Sequence, residues 1–288
     1  MTVVGCGYTG RRLLKLCRDA GRDFLGTVRS QASLESLRAA GARAEVLDLD
    51  APGGQLPDEW SADRVVVYMA PPPDDGDTDP RLRALLARLR ALPRSVVYLS
   101  TTAVYGDTGG ATVDEDTPPA PAAARGRRRH DAELAVLDWH DRTGVPVRIL
   151  RVPGIYGPGR LPLERLRQGA PVVREADAGP GNRIHVDDLA AACLAAADFA
   201  GAATVFNVGD GSHASTTAYF RAVAQAAGLP APPELPLEEL LAQVTPAMRG
   251  FLVEKRRVDT TRMRQVLGFS PRYARLEDGV AASLAETG

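Results

Sequence analysis

"TVVGCGYTGRRLL", residues 2–14, sets Gly5, Gly7 and Gly10 between a short β-branched run and a helix-forming run. This GxGxxG spacing has a mechanical meaning. The first glycine permits a tight turn, the second lets backbone approach a pyrophosphate, and the third allows close helix packing beneath the loop. The helix that follows points its free N–H groups at the same place, where an anion is favoured. Gly5, Gly7, Tyr8, Thr9 and Gly10 are therefore the candidate cradle for a dinucleotide. Cys6, inside the loop, reads as a small residue filling the turn.

Outward from this stretch, short apolar runs alternate with helical patterns. "FLGTV" (24–28), "AEVLDL" (44–49), "RVVVYMA" (64–70), "SVVYLS" (95–100) and "PVRILRV" (146–152) read as strands. Helices are expected over 10–21, 33–41, 81–92 and 130–144, with Gly21, Gly41 and Gly144 at their stops. Alternation of this kind indicates a parallel sheet with helical crossovers, and continuous apolar strands require cover on both faces. The expected fold is a Rossmann-type doubly wound α/β sheet with helices on both faces and a smaller C-terminal substrate lobe. Residues 1–155 form the expected cofactor-binding domain and 156–288 the smaller lobe, some of whose segments return to the first. Helical patterns there fall near 187–199, 215–227, 237–243 and 260–267.

Among 288 residues, 35 basic and 36 acidic side chains nearly cancel, so no global field draws nucleic acid or an anionic membrane. Cys6, Cys17 and Cys193 are few and widely spaced, which predicts free thiols and no metal site. No basic-then-apolar leader precedes the first strand, and the longest Ala-rich stretch is broken by Asp198. A cytoplasmic protein is expected, as a monomer or homodimer acting on a small molecule.

The second strand ends in "GTVRS", where a site for NAD would carry Asp or Glu to bind the ribose hydroxyls. Arg29 instead suits a 2′-phosphate, with Ser30 as a further donor, so NADP(H) is expected over NAD(H).

"GCGYTG", "VLDLD", "VVVYMAPPP", "VVYLSTTAVYGD", "VDEDTPPAP", "LRVPGIYGPGR" and "RIHVDDLA" together resemble the atypical or extended short-chain dehydrogenase/reductases of the NAD-dependent epimerase/dehydratase family. The resemblance implies that Asp48 and Leu49 lie beside adenine. It implies that Ala70, Pro71 and Pro72 follow the cofactor ribose and pyrophosphate, and that Val152, Pro153, Gly154 and Ile155 contact the nicotinamide. It also implies a catalytic hydroxyl at Thr101, with Thr102 adjacent, and a Tyr-x-x-x-Lys pair on the next helix. Placed from Glu133, those two positions hold Arg125 and Arg129. Arginine does not release a proton in proteins, so Arg125 cannot replace the phenol. Arg129 can still bind ribose hydroxyls. No tyrosine occurs between Tyr105 and Tyr156, which leaves Tyr105 as a candidate proton relay.

Both arginines belong to "ARGRRRHDAE" (124–133). At 100° per residue Arg125 and Arg129 share a face with Ala132, Val136 and Trp139, whereas Arg127 and Arg128 fall on a face expected to be solvated. His185 reads as a hydrogen-bonded structural residue, and Asp187 and Asp188 as caps of the helix that follows. Arg183 stands two positions from where nucleotide-sugar enzymes of the family place a phosphate-binding arginine. The leading expectation is an NADP(H)-dependent oxidoreductase acting on a small carbonyl or alcohol. A cofactor-binding sensor without turnover and a nucleotide-sugar epimerase or dehydratase are the alternatives.

Overall fold

The computed structural model describes residues 1–287. Seven parallel strands form the central sheet: β1 (Thr2–Val4), β2 (Leu25–Val28), β3 (Arg43–Val46), β4 (Val65–Tyr68), β5 (Ser95–Thr101), β6 (Val147–Val152) and β7 (Val205–Asn207). Their spatial order is β3-β2-β1-β4-β5-β6-β7, which reverses direction between β1 and β4. At such a switch point the loops after neighbouring strands part and leave a crevice at the strands' C-terminal ends.

Alternate residues along the strands feed two cores. Val3, Val65, Val67, Val97 and Leu150 pack with Leu13 and Cys17 of α1 (Tyr8–Asp19) and with the helix Val186–Asp198. Val4, Val66, Tyr68, Tyr98 and Ile149 pack on the other face with Leu82 and Leu85 of α3 (Pro80–Arg88) and with Ala132, Val136 and Trp139 of α4 (Ala124–Thr143). The apolar runs therefore demanded helices on both sides. α2 (Gln31–Ala39) completes the first layer through Leu34 and Leu37.

α4 begins at Ala124, so the basic stretch is helical throughout, and Gly144 ends it at φ +71°. The sequence-based expectation for Arg128 is corrected here. Arg128 is buried and donates to the Gly76 carbonyl at 2.8 Å, because the Pro-rich loop of residues 70–80 folds back across the start of α4. Arg127 stays exposed, paired with Asp77.

Beyond residue 152 the chain makes short parallel pairs: Gly154–Tyr156 with Arg183–His185, Val172–Val173 with Glu234–Leu235, and Thr112–Val113 with Arg257–Val258. A separate core gathers Tyr156, Leu166, Tyr219, Phe220 and Val280. The stretch 186–207 returns to the sheet by way of its helix and β7. Helices Pro246–Val253 and Leu276–Thr287 were not anticipated from the sequence.

The cap of helix Val186–Asp198 is also corrected. His185, not an aspartate, accepts the Asp187 N–H through Nδ1 at 3.2 Å. Asp188 is buried and instead receives the N–H groups of Arg272 and Tyr273 at 2.8 and 2.9 Å, clamping a distant loop. His185 is buried with its Nε2 3.2 Å from Ser283 Oγ, and burial pushes its pKa down.

Candidate functional site: a three-chamber cleft

Gly5 turns the chain at φ +81°, and a Cβ there would lie 2.5 Å from the Ala70 nitrogen. The loop thus rests directly on the chain leaving β4. A Cβ on Gly10 would lie 2.9 Å from Cys6 Sγ, so this sulfur fills the floor. Burial pushes the Cys6 thiol to about 12, which keeps it neutral and unreactive. Gly7 is different: a Cβ there would meet only the Gly5 carbonyl, at 4.0 Å, and would project into the cleft. No side chain caps α1 and its first turn has no acidic residue. The cradle therefore fits an anionic pyrophosphate in both shape and dipole.

On one side of this loop lies a cavity of about 290 Å³, lined by Gly5, Arg29, Asp48, Leu49, Ala70 and Pro71 among others. Arg29 is 71% exposed and 3.8 Å from Asp50. Asp50 is held by Arg81 through Nε and Nη2 at 2.6 and 2.5 Å, which lowers its pKa. Arg29 is therefore the more exposed and more loosely paired of the two cations lining this chamber. Ser30 is committed to capping α2, where its hydroxyl accepts the Ser33 N–H, and Ser33 rather than Ser30 lines the cavity. Pro72 also lies outside the lining.

Past Gly5, Gly7 and Pro71, which it shares with the first, a second cavity of about 370 Å³ is walled by Tyr8, Thr9, Gly10, Ser100, Val152 and Ile155, with Arg129 and Arg160. Arg129 donates to the Leu99 carbonyl at 2.8 Å. Arg160 lies over the Tyr8 ring at 4.0 Å, while the Tyr8 hydroxyl donates to the Pro158 carbonyl. Two guanidinium groups thus flank the glycine loop.

The third cavity, about 330 Å³, is walled by Thr101, Thr102, Arg125, Pro153 and Gly154, with Arg183, Phe251, Glu254 and Arg256. It adjoins the second through consecutive residues, Ser100 to Thr101 and Val152 to Ile155. Thr101 accepts the Ala103 N–H at 3.2 Å. Arg125 pairs with Glu254 at 3.0 Å. Arg129 and Arg125, one helical turn apart on α4, therefore face adjacent chambers.

Tyr105 is placed elsewhere. It is 2% exposed, its hydroxyl donates to Asn207 Oδ1 at 2.7 Å, and it accepts from Arg151 Nη1 at 2.9 Å. Arg151 in turn holds Glu133 through Nη2 at 2.8 Å, and Ser100 donates to the same carboxylate. This buried network supports the ends of β5, β6 and β7. Burial pushes the Tyr105 phenol to about 12, so it is poorly suited to exchange protons near neutrality.

Residues 1–209 match the NAD dependent epimerase/dehydratase family. The chain belongs to this family. A structure of a functionally unknown conserved protein from Silicibacter pomeroyi DSS is similar over 99% of this chain and 98% of its own, with 33% identity and a TM-score of 0.83. YeeZ of Escherichia coli K12 is 27% identical over 242 residues, 81% of this chain and 85% of its own. MoeE5, solved with UDP-glucose and NAD, shares the fold at 22% identity and a TM-score of 0.76, over 99% of this chain and 97% of its own.

Within this epimerase/dehydratase fold, the glycine cradle and Arg129 come together around one cavity, Thr101, Thr102 and Arg125 around the next. Ser100, Arg81, Arg160, Phe251, Glu254 and Arg256 were missed by the sequence reading. Arg160 and Ser100 carried a local signal, through their places in "LRVPGIYGPGR" and "VVYLSTTAVYGD". Among the described residues no group of three His, Cys, Asp or Glu side chains could hold a metal, and no helix is long and apolar enough to cross a membrane.

Proposed function

We propose that the chain is an NADP(H)-dependent oxidoreductase that moves hydride to or from a small carbonyl or alcohol. The observation that carries this reading is the order of the chambers: the first two share Gly5, Gly7 and Pro71, and the third is lined by Thr101, Pro153 and Gly154, the sequence neighbours of Ser100, Val152 and Ile155 in the second. Bound there, a nicotinamide dinucleotide would supply or accept the hydride. The chain's own residues do the rest. The uncapped start of α1 and the backbone at Gly7 hold the pyrophosphate, and Arg29 answers the 2′-phosphate. Arg129, fixed by the Leu99 carbonyl, binds ribose hydroxyls. Thr101 and Thr102 hold the substrate oxygen, and a proton passes between that oxygen and water through the Thr101 hydroxyl. No titrating arginine is required, since a fixed guanidinium stabilises developing negative charge electrostatically.

Arg183 supports a small substrate over a nucleotide sugar. Its guanidinium stands at the wall of the third chamber but is spent on the Ala214 and Ser215 carbonyls at 2.5 and 3.2 Å. The protein is expected to act on its own or as a homodimer, in the cytoplasm.

NADPH oxidation across a panel of small aldehydes and ketones tests the reading. Turnover should fall with Arg129→Met, whose cofactor affinity should drop about tenfold through loss of charge-assisted hydrogen bonds. Tight cofactor binding without turnover on any member would favour a second reading, a cofactor sensor. That reading is supported by the burial of Tyr105 away from the chambers and by the engagement of Arg125 with Glu254.

A further inference from the structure

Three arginines, Arg125, Arg183 and Arg256, and one glutamate, Glu254, are among the residues that line the third chamber. Their situations differ. Arg183 is spent on the Ala214 and Ser215 carbonyls. Arg256 is fixed by the carbonyls of Gly106 and Thr102 at 2.7 and 3.2 Å, and the pairing of Arg257–Val258 with Thr112–Val113 anchors it from behind. Both are framework. Arg125 has no such anchor: its hydrogen-bonding partner is Glu254, its Nε is buried without one, and the Phe251 ring covers it at 3.5 Å from the guanidinium carbon.

The Glu254 side chain is 7% exposed at a chamber wall, and its Oε2 serves Arg125 and Arg256 together. It follows directly on the helix Pro246–Val253, whose Phe251 is 63% exposed although it stacks on a side chain of the cleft. An exposed aromatic ring stacked on the guanidinium, and a carboxylate on the one chamber arginine that no backbone carbonyl holds, are what an internal occupant of an anion site looks like. Exchanging that carboxylate for another conserves charge and hydrogen bonding at Arg125, while the idle Nε offers a second donor for a fork-like grip.

We propose that the substrate carries a carboxylate which replaces Glu254 on Arg125, with Glu254 and Phe251 acting as a displaceable latch over the chamber. Because Thr101 and Thr102 line the same chamber, the reacting oxygen lies close to the carboxylate, which defines a small oxo acid or hydroxy acid. The reacting-oxygen half rests on the proposed oxidoreductase reading; the carboxylate half does not.

The test is calorimetric titration of the full chain, with and without NADP+, using 2-oxo acids of three to six carbons, each against the methyl ketone that lacks its carboxylate. At least one acid should bind saturably and about tenfold more tightly than its ketone, the range of a charge-assisted contact. Arg125→Gln should remove this preference. Glu254→Gln should tighten the acid about tenfold, by freeing Arg125, and leave the ketone unchanged. If that variant does not fold, Phe251→Ala, at an exposed ring, should tighten the acid by about threefold. No acid binding, equal binding of acid and ketone, or unchanged acid affinity in the folded latch variants would overturn the proposal. Acid binding without turnover would reject the oxidoreductase reading alone; turnover of ketones without acid preference would reject the carboxylate alone.

Discussion

Removing one oxygen with Tyr105→Phe separates a structural phenol from a proton relay. The hydroxyl accepts from the Arg151 guanidinium at 2.9 Å and donates to Asn207 Oδ1 at 2.7 Å, all at buried positions. Neither partner is freed to find water. Arg151 keeps Glu133, and Asn207 keeps its donation to the Asp259 carbonyl and the contact of its N–H with Glu115. One charged and one neutral hydrogen bond are lost with their partners left buried, at a cost of roughly 2–4 kcal/mol. A chain of this size loses about 2 °C of Tm per kcal/mol, so the midpoint should fall by roughly 4–8 °C. Thermal unfolding followed by circular dichroism, beside NADPH titration of the same samples, gives both readouts. The expected outcome is the lower midpoint with cofactor affinity within about twofold of wild type. An unchanged midpoint together with lost turnover would refute the structural assignment and return Tyr105 to the reaction.

Three other outcomes are expected. Gly7→Ala should keep Tm within about 2 °C yet weaken cofactor at least tenfold, because its Cβ enters the cleft and meets only the Gly5 carbonyl. Gly5→Ala should lower Tm as well, since it combines φ +81° with a contact at 2.5 Å to Ala70; equal behaviour of the two variants would argue against the loop geometry. His185 is held neutral by burial, with its folded pKa below its unfolded one. Its contribution is fully present above the unfolded pKa of about 6.5 and is lost as pH falls below it, because the unfolded chain takes up the proton first. The buried Asp188 and Asp210 carboxyls, with raised pKa values, act in the opposite sense. The informative quantity is therefore the difference in Tm between wild type and His185→Asn, a substitution that keeps a capping side chain. That difference should shrink from pH 7 to pH 5, and a constant one would reject the assignment.

The glycine spacing and the apolar strands were legible because their causes are local. A GxGxxG turn needs its geometry within six residues, and a strand buried on both faces declares it in its own composition. Arg129 was placed toward the cleft by the family resemblance, counted back from Glu133, and by helical phase. Arg128 was misread by the same rule, since phase cannot foresee that Gly76, 52 residues earlier, brings its carbonyl over the helix start. The Arg125–Glu254 pair spans 129 residues and depends on two-residue strands at 112–113 and 257–258, too short to leave a pattern. Tyr105 was attractive as the last tyrosine before a long gap. Its true partners, Arg151 and Asn207, lie on strands whose apolar neighbours hid them. Local chemistry marked the two chambers beside the glycine loop, whereas long-range closure built the third.

The most direct test of a 2′-phosphate-preferring nicotinamide site is fluorescence titration of the wild-type chain with NADPH and NADH. NADPH should bind about tenfold more tightly at low salt, and Arg29→Asp should abolish or reverse the preference. Equal affinities for the two cofactors in the wild-type chain, or an unchanged preference in the variant, would contradict it.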